Sequence, residues 1–153
     1  MTETKAETTQ IYEVLIDATP EQVWDALTKP EQTQQYFYGS VFETTYEPGT
    51  PYVGWSRDHT LKFVEGEVLE ADPPRRLSTT WSSQWDEEAA GEPPSRVTWE
   101  IEPQEGGGTK VTLVHDRLEA APKTAASVAG GWSTVLDGLK AFLETGEAQN
   151  PMP

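Results

Sequence analysis

The chain has two histidines, and they are the first places to look for chemistry. His115 ends an alternating run with Val111 and Leu113, so it shares a strand face with apolar side chains. An imidazole there could orient a polar group on a ligand. It could also act as acid or base near neutral pH in a cyclisation or hydrolysis. It could equally be a core or rim histidine hydrogen-bonded to backbone. Asp116 points to the opposite face and cannot pair with it in a regular strand. His59 sits beside Arg57 and Asp58 in a stretch that reads as surface loop. A metal centre needs several converging ligands. Neither histidine has another at ligand spacing, Glu65 and Glu67 have no His or Cys beside them, and the chain has no cysteine. No metal and no cofactor is expected. Ser82, Ser83 and Ser133 lack a His–acid set. Gly106, Gly107 and Gly108 read as a hairpin turn, since neither a helix nor a Lys–Ser/Thr pair follows them.

Aromatic residues carry a stronger signal. Trp55, Trp81, Trp85, Trp99 and Trp132 are many large rings for a chain of 153 residues. Some must serve core packing, and each buried indole N–H needs a partner. Several indoles facing one helix also suit a cavity with apolar walls and a few hydrogen-bond donors. The expected lining is Trp81, Trp99, His115, Trp132 and Leu136, with Tyr36 and Trp85 at the mouth and the acidic stretch 86–92 covering it.

These residues need elements to position them. In the stretch 125–145, Val128, Trp132, Val135, Leu136, Leu139, Phe142 and Leu143 recur at gaps of three and four, the stripe of an amphipathic helix. Gly146 is its expected C-cap. Gly130, Gly131 and Gly138 interrupt it, for close packing on a sheet or to leave room for a ligand. Thr19, Pro20 and Gln22 predict the start of a short helix after a strand over 11–16, and a second short helix follows over 31–37. Strands are predicted over 41–46, 52–55, 61–71, 75–85, 96–102 and 109–116, with a loop over 86–95. Hairpins pairing symmetrically about their turns would set Trp81, Trp99 and Leu113 side by side, with His115 one rung towards Trp85.

Length and charge narrow the function classes. One domain over 11–146 is expected, with a disordered arm over 1–10 and a ragged tail over 147–153. The formal charge of −15 repels phosphate backbones and anionic membrane surfaces. Nucleic acid and membrane are therefore not expected partners. No apolar run approaches the roughly 18 residues of a membrane helix. A polar N-terminus without a signal-peptide core makes a cytoplasmic location the expectation.

The run from Ile16 through Asp17-Ala18-Thr19-Pro20 to Val23, Trp24 and Leu27 resembles an opening strand–helix motif. Gly66-Glu67-Val68-Leu69-Glu70 with Pro74-Arg75-Arg76-Leu77 and Trp81 resembles a central hairpin. Gly108 to His115 resembles a last strand, and Gly131-Trp132, Leu136-Asp137-Gly138-Leu139 and Leu143-Glu144 a closing helix. In this order they are similar to proteins related to the C-terminal domain of the activator of the ninety-kilodalton heat-shock chaperone ATPase, a branch of the START-like (SRPBCC) superfamily. The resemblance implies an α+β helix-grip fold: a curved antiparallel sheet wrapped around a long C-terminal helix, with two short helices after the first strand. It implies an apolar cavity between helix and sheet. The first expectation is thus non-catalytic binding of a small hydrophobic or aromatic molecule, by a monomer or homodimer. The alternatives are a cochaperone-like or regulatory protein–protein module, and a cyclase or hydrolase assisted by His115.

Overall fold

The first strand shows how the alternation is used. In β1 (Gln10–Ile16), Gln10 and Ile16 are buried, Tyr12 and Val14 lie partly buried against the core, and Ile11, Glu13 and Leu15 point outward. The computed structural model describes residues 8–37, 39–128 and 131–147. Residues 1–7 of the expected arm, 148–153 of the expected tail, Tyr38 and Gly130 lie outside the described residues.

The helix α1 (Pro20–Thr28) starts as its sequence predicts. The Thr19 hydroxyl accepts from the Gln22 N–H at 3.1 Å and the Gln22 side chain accepts from the Thr19 N–H at 2.8 Å, a capping box, with Pro20 in the first turn. Val23, Ala26 and Leu27 form its buried face. A second helix, α2 (Pro30–Thr33), is a single turn. The strands β2 (Val41–Glu43), β3 (Pro51–Trp55), β4 (Lys62–Asp72) and β5 (Arg76–Ser83) follow. After them come a short helix α3 (Glu87–Ala90), the strands β6 (Ser95–Pro103) and β7 (Thr109–Asp116), and the helices α4 (Pro122–Val128) and α5 (Gly131–Thr145). The turn between β6 and β7 places Gly106, Gly107 and Gly108 at φ of 85°, 104° and 84°. Three successive residues in that region are tolerated only by glycine.

The seven strands form one antiparallel sheet in the order β1-β7-β6-β5-β4-β3-β2. This corrects the expected sheet wrapped around the helix. The sheet is open: β1 and β2 are its two edges, and no pairing joins them. The reason lies in the edges themselves. The last turns of α5 bond to the β1 end, with Lys140 Nζ donating to the Leu15 carbonyl at 2.6 Å and Glu144 accepting from the Asp17 N–H at 2.9 Å. At the other edge β2 has three residues, too few to continue the sheet, and Tyr46 beyond it takes a φ of 60°. The closing helix comprises α4 and α5, the latter packing chiefly on β1.

The core lies between one face of the sheet and α5. Leu77, Val97, Trp99, Ile101, Val111 and Leu113 meet Trp132, Val135, Leu136 and Leu139 there. Trp99 does stand opposite Leu113, and His115 opposite Val97, the next rung on that face. Trp81 does not stand beside Trp99: it pairs with Ser95, and Leu77 takes the place opposite Trp99. The slip of four residues keeps Trp81 on the same face. It arises because the connection over 84–94 is asymmetric and holds α3, whose Asp86 cap accepts from the Glu88 N–H. On the outer face, Arg76 pairs with Glu70 and Glu100, Arg96 with Asp116, and Lys110 with Glu102. The long β4 also needs Gly66, where a Cβ would sit 2.0 Å from the Thr80 carbonyl oxygen.

Candidate functional site

A cavity of about 300 Å³ opens between the start of α5, the end of α4 and the strands β2, β4 and β5. Six aromatic rings form most of its wall: Phe37, Phe42, Phe63, Trp81, Trp85 and Trp132. Val64, Val128 and Val135 add branched apolar surface, and Ser40 and Ser127 add hydroxyls. Gly131 completes the wall, and a Cβ built on it meets no heavy atom within 4 Å. No lining residue is charged.

Hydrogen bonds fix the two deep indoles. Trp132 Nε1 donates to His115 Nδ1 at 2.9 Å. That assigns the ring proton to Nε2, which donates to Ser95 Oγ at 2.7 Å. Ser95 in turn donates to the Trp81 carbonyl at 3.2 Å. Trp81 Nε1 donates to Ser83 Oγ at 3.0 Å. The rings also brace one another: Trp132 lies edge-on to Phe37 at 5.8 Å and to Trp99 at 6.0 Å, and tilted on Trp81 at 5.0 Å. Both indoles therefore present carbon faces to the cavity and turn their N–H groups into the protein.

His115 is fully buried, and both of its nitrogens are engaged by protein groups. Burial pulls its pKa down to about 4, partly opposed by the negative charge of Asp116. Asp116 faces the other way, as the alternation requires, and pairs with Arg96, whose hydrogen bonds hold its carboxyl below the usual range.

The outer wall is thinner. Trp85 is 48% exposed and lines the cavity from the loop before α3. Two helices of that wall are tied together by Glu92, whose carboxylate accepts from the backbone N–H groups of Lys123 and Thr124 at 2.9 and 2.8 Å and from the Thr124 hydroxyl at 2.9 Å. A carboxylate there caps α4 and complements the positive end of the helix.

Of the seven residues expected to form the site, Trp81, Trp85 and Trp132 line the cavity. Tyr36, Trp99, His115 and Leu136 are buried in the packed core around it. Tyr36 donates its hydroxyl to the Ala26 carbonyl at 2.7 Å and is fully buried rather than at a mouth. Sequence reasoning missed Phe42 and Phe63, which sit on strands where alternation is short or broken. Gly131, Val128 and Val135 were visible as members of the helix stripe or its interruptions. Trp55 stands apart: it stacks on His59, and Lys62 lies 5.4 Å from its ring centre. Among the described residues no three His, Asp or Glu side chains converge as a metal site, and no helix is long and apolar enough to cross a membrane.

No curated protein matches the chain. Solved structures do. CalU16 of Micromonospora echinospora is 25% identical, with a TM-score of 0.69 over 94% of this chain and 78% of that one. The protein SSP2350 of Staphylococcus saprophyticus is 20% identical, with a TM-score of 0.71 over 92% and 94%. The Aha1 dimer of Colwellia psychrerythraea is 18% identical, with a TM-score of 0.71 over 92% and 98%. At these identities the likeness is one of fold. With residues 17–144 matching the pattern of the Activator of Hsp90 ATPase homolog 1-like proteins, the chain belongs to that family.

Proposed function

We propose that this protein binds a small hydrophobic or aromatic molecule, without turning it over, in the cavity between the closing helices and the sheet. The observation that carries this reading is the wall of six aromatic rings around about 300 Å³ with no charged side chain in it. That volume stands at the lower end of the range for small-molecule sites. The engaged nitrogens of His115 favour a structural over a catalytic use of the residue. Native mass spectrometry of freshly purified protein, followed by denaturing extraction, tests the proposal. A reproducible apolar adduct released on denaturation supports it. Bare protein that also fails to take up N-phenyl-1-naphthylamine, a neutral aromatic probe, counts against it.

A second reading, association with another protein, is favoured by one observation. Ile11 and Leu15 are 61% and 60% exposed on the outward face of the edge strand β1. The related Colwellia structure is a dimer, and a second copy of this chain is the partner that this likeness suggests. Sedimentation velocity on the protein and on an Ile11→Lys/Leu15→Lys variant decides. A dimer abolished by the substitutions supports the reading, and a monomer at all concentrations removes it.

A further inference from the structure

The walls say more about the occupant than that it is apolar. We infer that the cavity selects an uncharged aromatic molecule over anionic and cationic molecules of similar size. This deepens, and rests on, the ligand-binding reading above.

Three observations carry the inference. First, an ion in the cavity would find no counter-charge, since no lining side chain is ionisable. The charged groups next in sequence to the lining residues are committed elsewhere: Glu43 pairs with His59, Lys62 with Glu65, and Asp86 caps α3. Second, an anion needs donors, and three of those in the wall are already used. The indole N–H of Trp81 goes to Ser83, that of Trp132 to His115, and the Ser127 hydroxyl to the Thr124 carbonyl. The formal charge of −15 adds a repulsive field. Third, a cation would gain from that field and from ring faces, but cation–π attraction is smaller than the penalty of burying an ion without a counter-charge. Salt weakens the field beyond about 8–10 Å. A neutral ring system meets the indole and phenyl faces with none of these penalties.

The test uses the full chain at physiological salt. N-phenyl-1-naphthylamine is titrated by fluorescence. Its anionic counterpart, 8-anilinonaphthalene-1-sulfonate, and the aromatic cation thioflavin T are then measured by their displacement of it. The expected result is a dissociation constant at least tenfold lower for the neutral probe than for either charged one. Gly131→Leu and Val135→Phe, both on the cavity wall, locate the binding, and each should weaken the neutral probe. If either charged probe binds within threefold of the neutral one and the wall variants weaken both, the selectivity inference falls while the ligand-binding reading stands. If the neutral probe fails to bind, or binds the wall variants unchanged, the ligand-binding reading itself falls and takes the inference with it.

Discussion

Replacing Gly131 with leucine should move stability and ligand binding in opposite directions. Gly131 lies in the cavity wall at the start of α5, and a Cβ there meets nothing within 4 Å. In a helix interior glycine is less favourable than leucine by about 0.8 kcal/mol, and at the first residue of α5 only part of that applies. Covering part of the added side chain with the rings around it contributes further, so a gain of about 1–2 kcal/mol is expected. For a chain of this length that raises Tm by about 2–8 °C. The same side chain takes up room in a cavity of about 300 Å³. A ligand that loses contact equal to one buried leucine, about 1.5–3 kcal/mol, binds about tenfold to a hundredfold more weakly. Thermal unfolding and titration with N-phenyl-1-naphthylamine on one preparation give both numbers. Raised Tm with unchanged affinity would show that the open space is not where the ligand sits. Lowered Tm would show that the space is not open.

Three further outcomes follow from named contacts. His115 is held neutral in the folded protein down to about pH 4, whereas its unfolded value is 6.5. Its contribution is therefore complete above pH 6.5 and is lost as pH falls towards 4, by on the order of 3 kcal/mol; urea unfolding at pH 7 and pH 4.5 should show a loss that His115→Phe lacks, and parallel losses would refute the assignment. Gly66→Ala would press a Cβ to 2.0 Å from the Thr80 carbonyl oxygen and should cost about 3 kcal/mol in chemical denaturation, a change under about 0.5 kcal/mol being incompatible with this register. Glu92→Gln keeps the shape but removes a charge and one acceptor from the start of α4, so stability should drop by about 1 kcal/mol and amide exchange over 122–128 should quicken, and unaltered exchange would mean that the carboxylate does not hold the helix.

What could be read from the sequence was what depends on near neighbours. The Thr19–Gln22 capping box needs only four residues, and it was visible as such. The alternation of Val97, Trp99 and Ile101, and of Val111 and Leu113, put those side chains on the core face because each strand has an apolar side and an opposite side of polar and charged residues with Val114 among them. What could not be read depended on distant partners. The start of α4 is set by Glu92, about thirty residues away, so the helix begins at Pro122, ahead of the apolar stripe. The place of Trp81 turned on a connection that holds a helical turn rather than a symmetric loop. The openness of the sheet turned on both edges, where β2 stops after Glu43 and Lys140 reaches the end of β1. Phe42 and Phe63 join the cavity wall through the pairing of β2, β3 and β4, and the irregular register at Gly54 and Trp55 hides that from any count of alternating residues.

The polar residues around the cavity explain why it stays open. An apolar void is unfavourable in proportion to its volume, and neighbouring side chains relax into it where they are free to do so. Here they are not free. Trp132 would have to break its bond to His115, which would then leave an indole N–H and an imidazole nitrogen buried without partners. Trp81 is tied through its indole to Ser83 and through its carbonyl to Ser95. On the outer side, Glu92 sets the position of α4 and with it Ser127 and Val128. His115 thus shapes the cavity without lining it: its two bonds fix the plane of the ring that forms the back wall. The same logic separates the two walls. The inner one is fixed by buried bonds that would be costly to break, and the outer one by the half-buried carboxylate of Glu92. Movement that admits a ligand should therefore arise at Trp85, α3 and α4, while the faces of Trp81 and Trp132 stay in place.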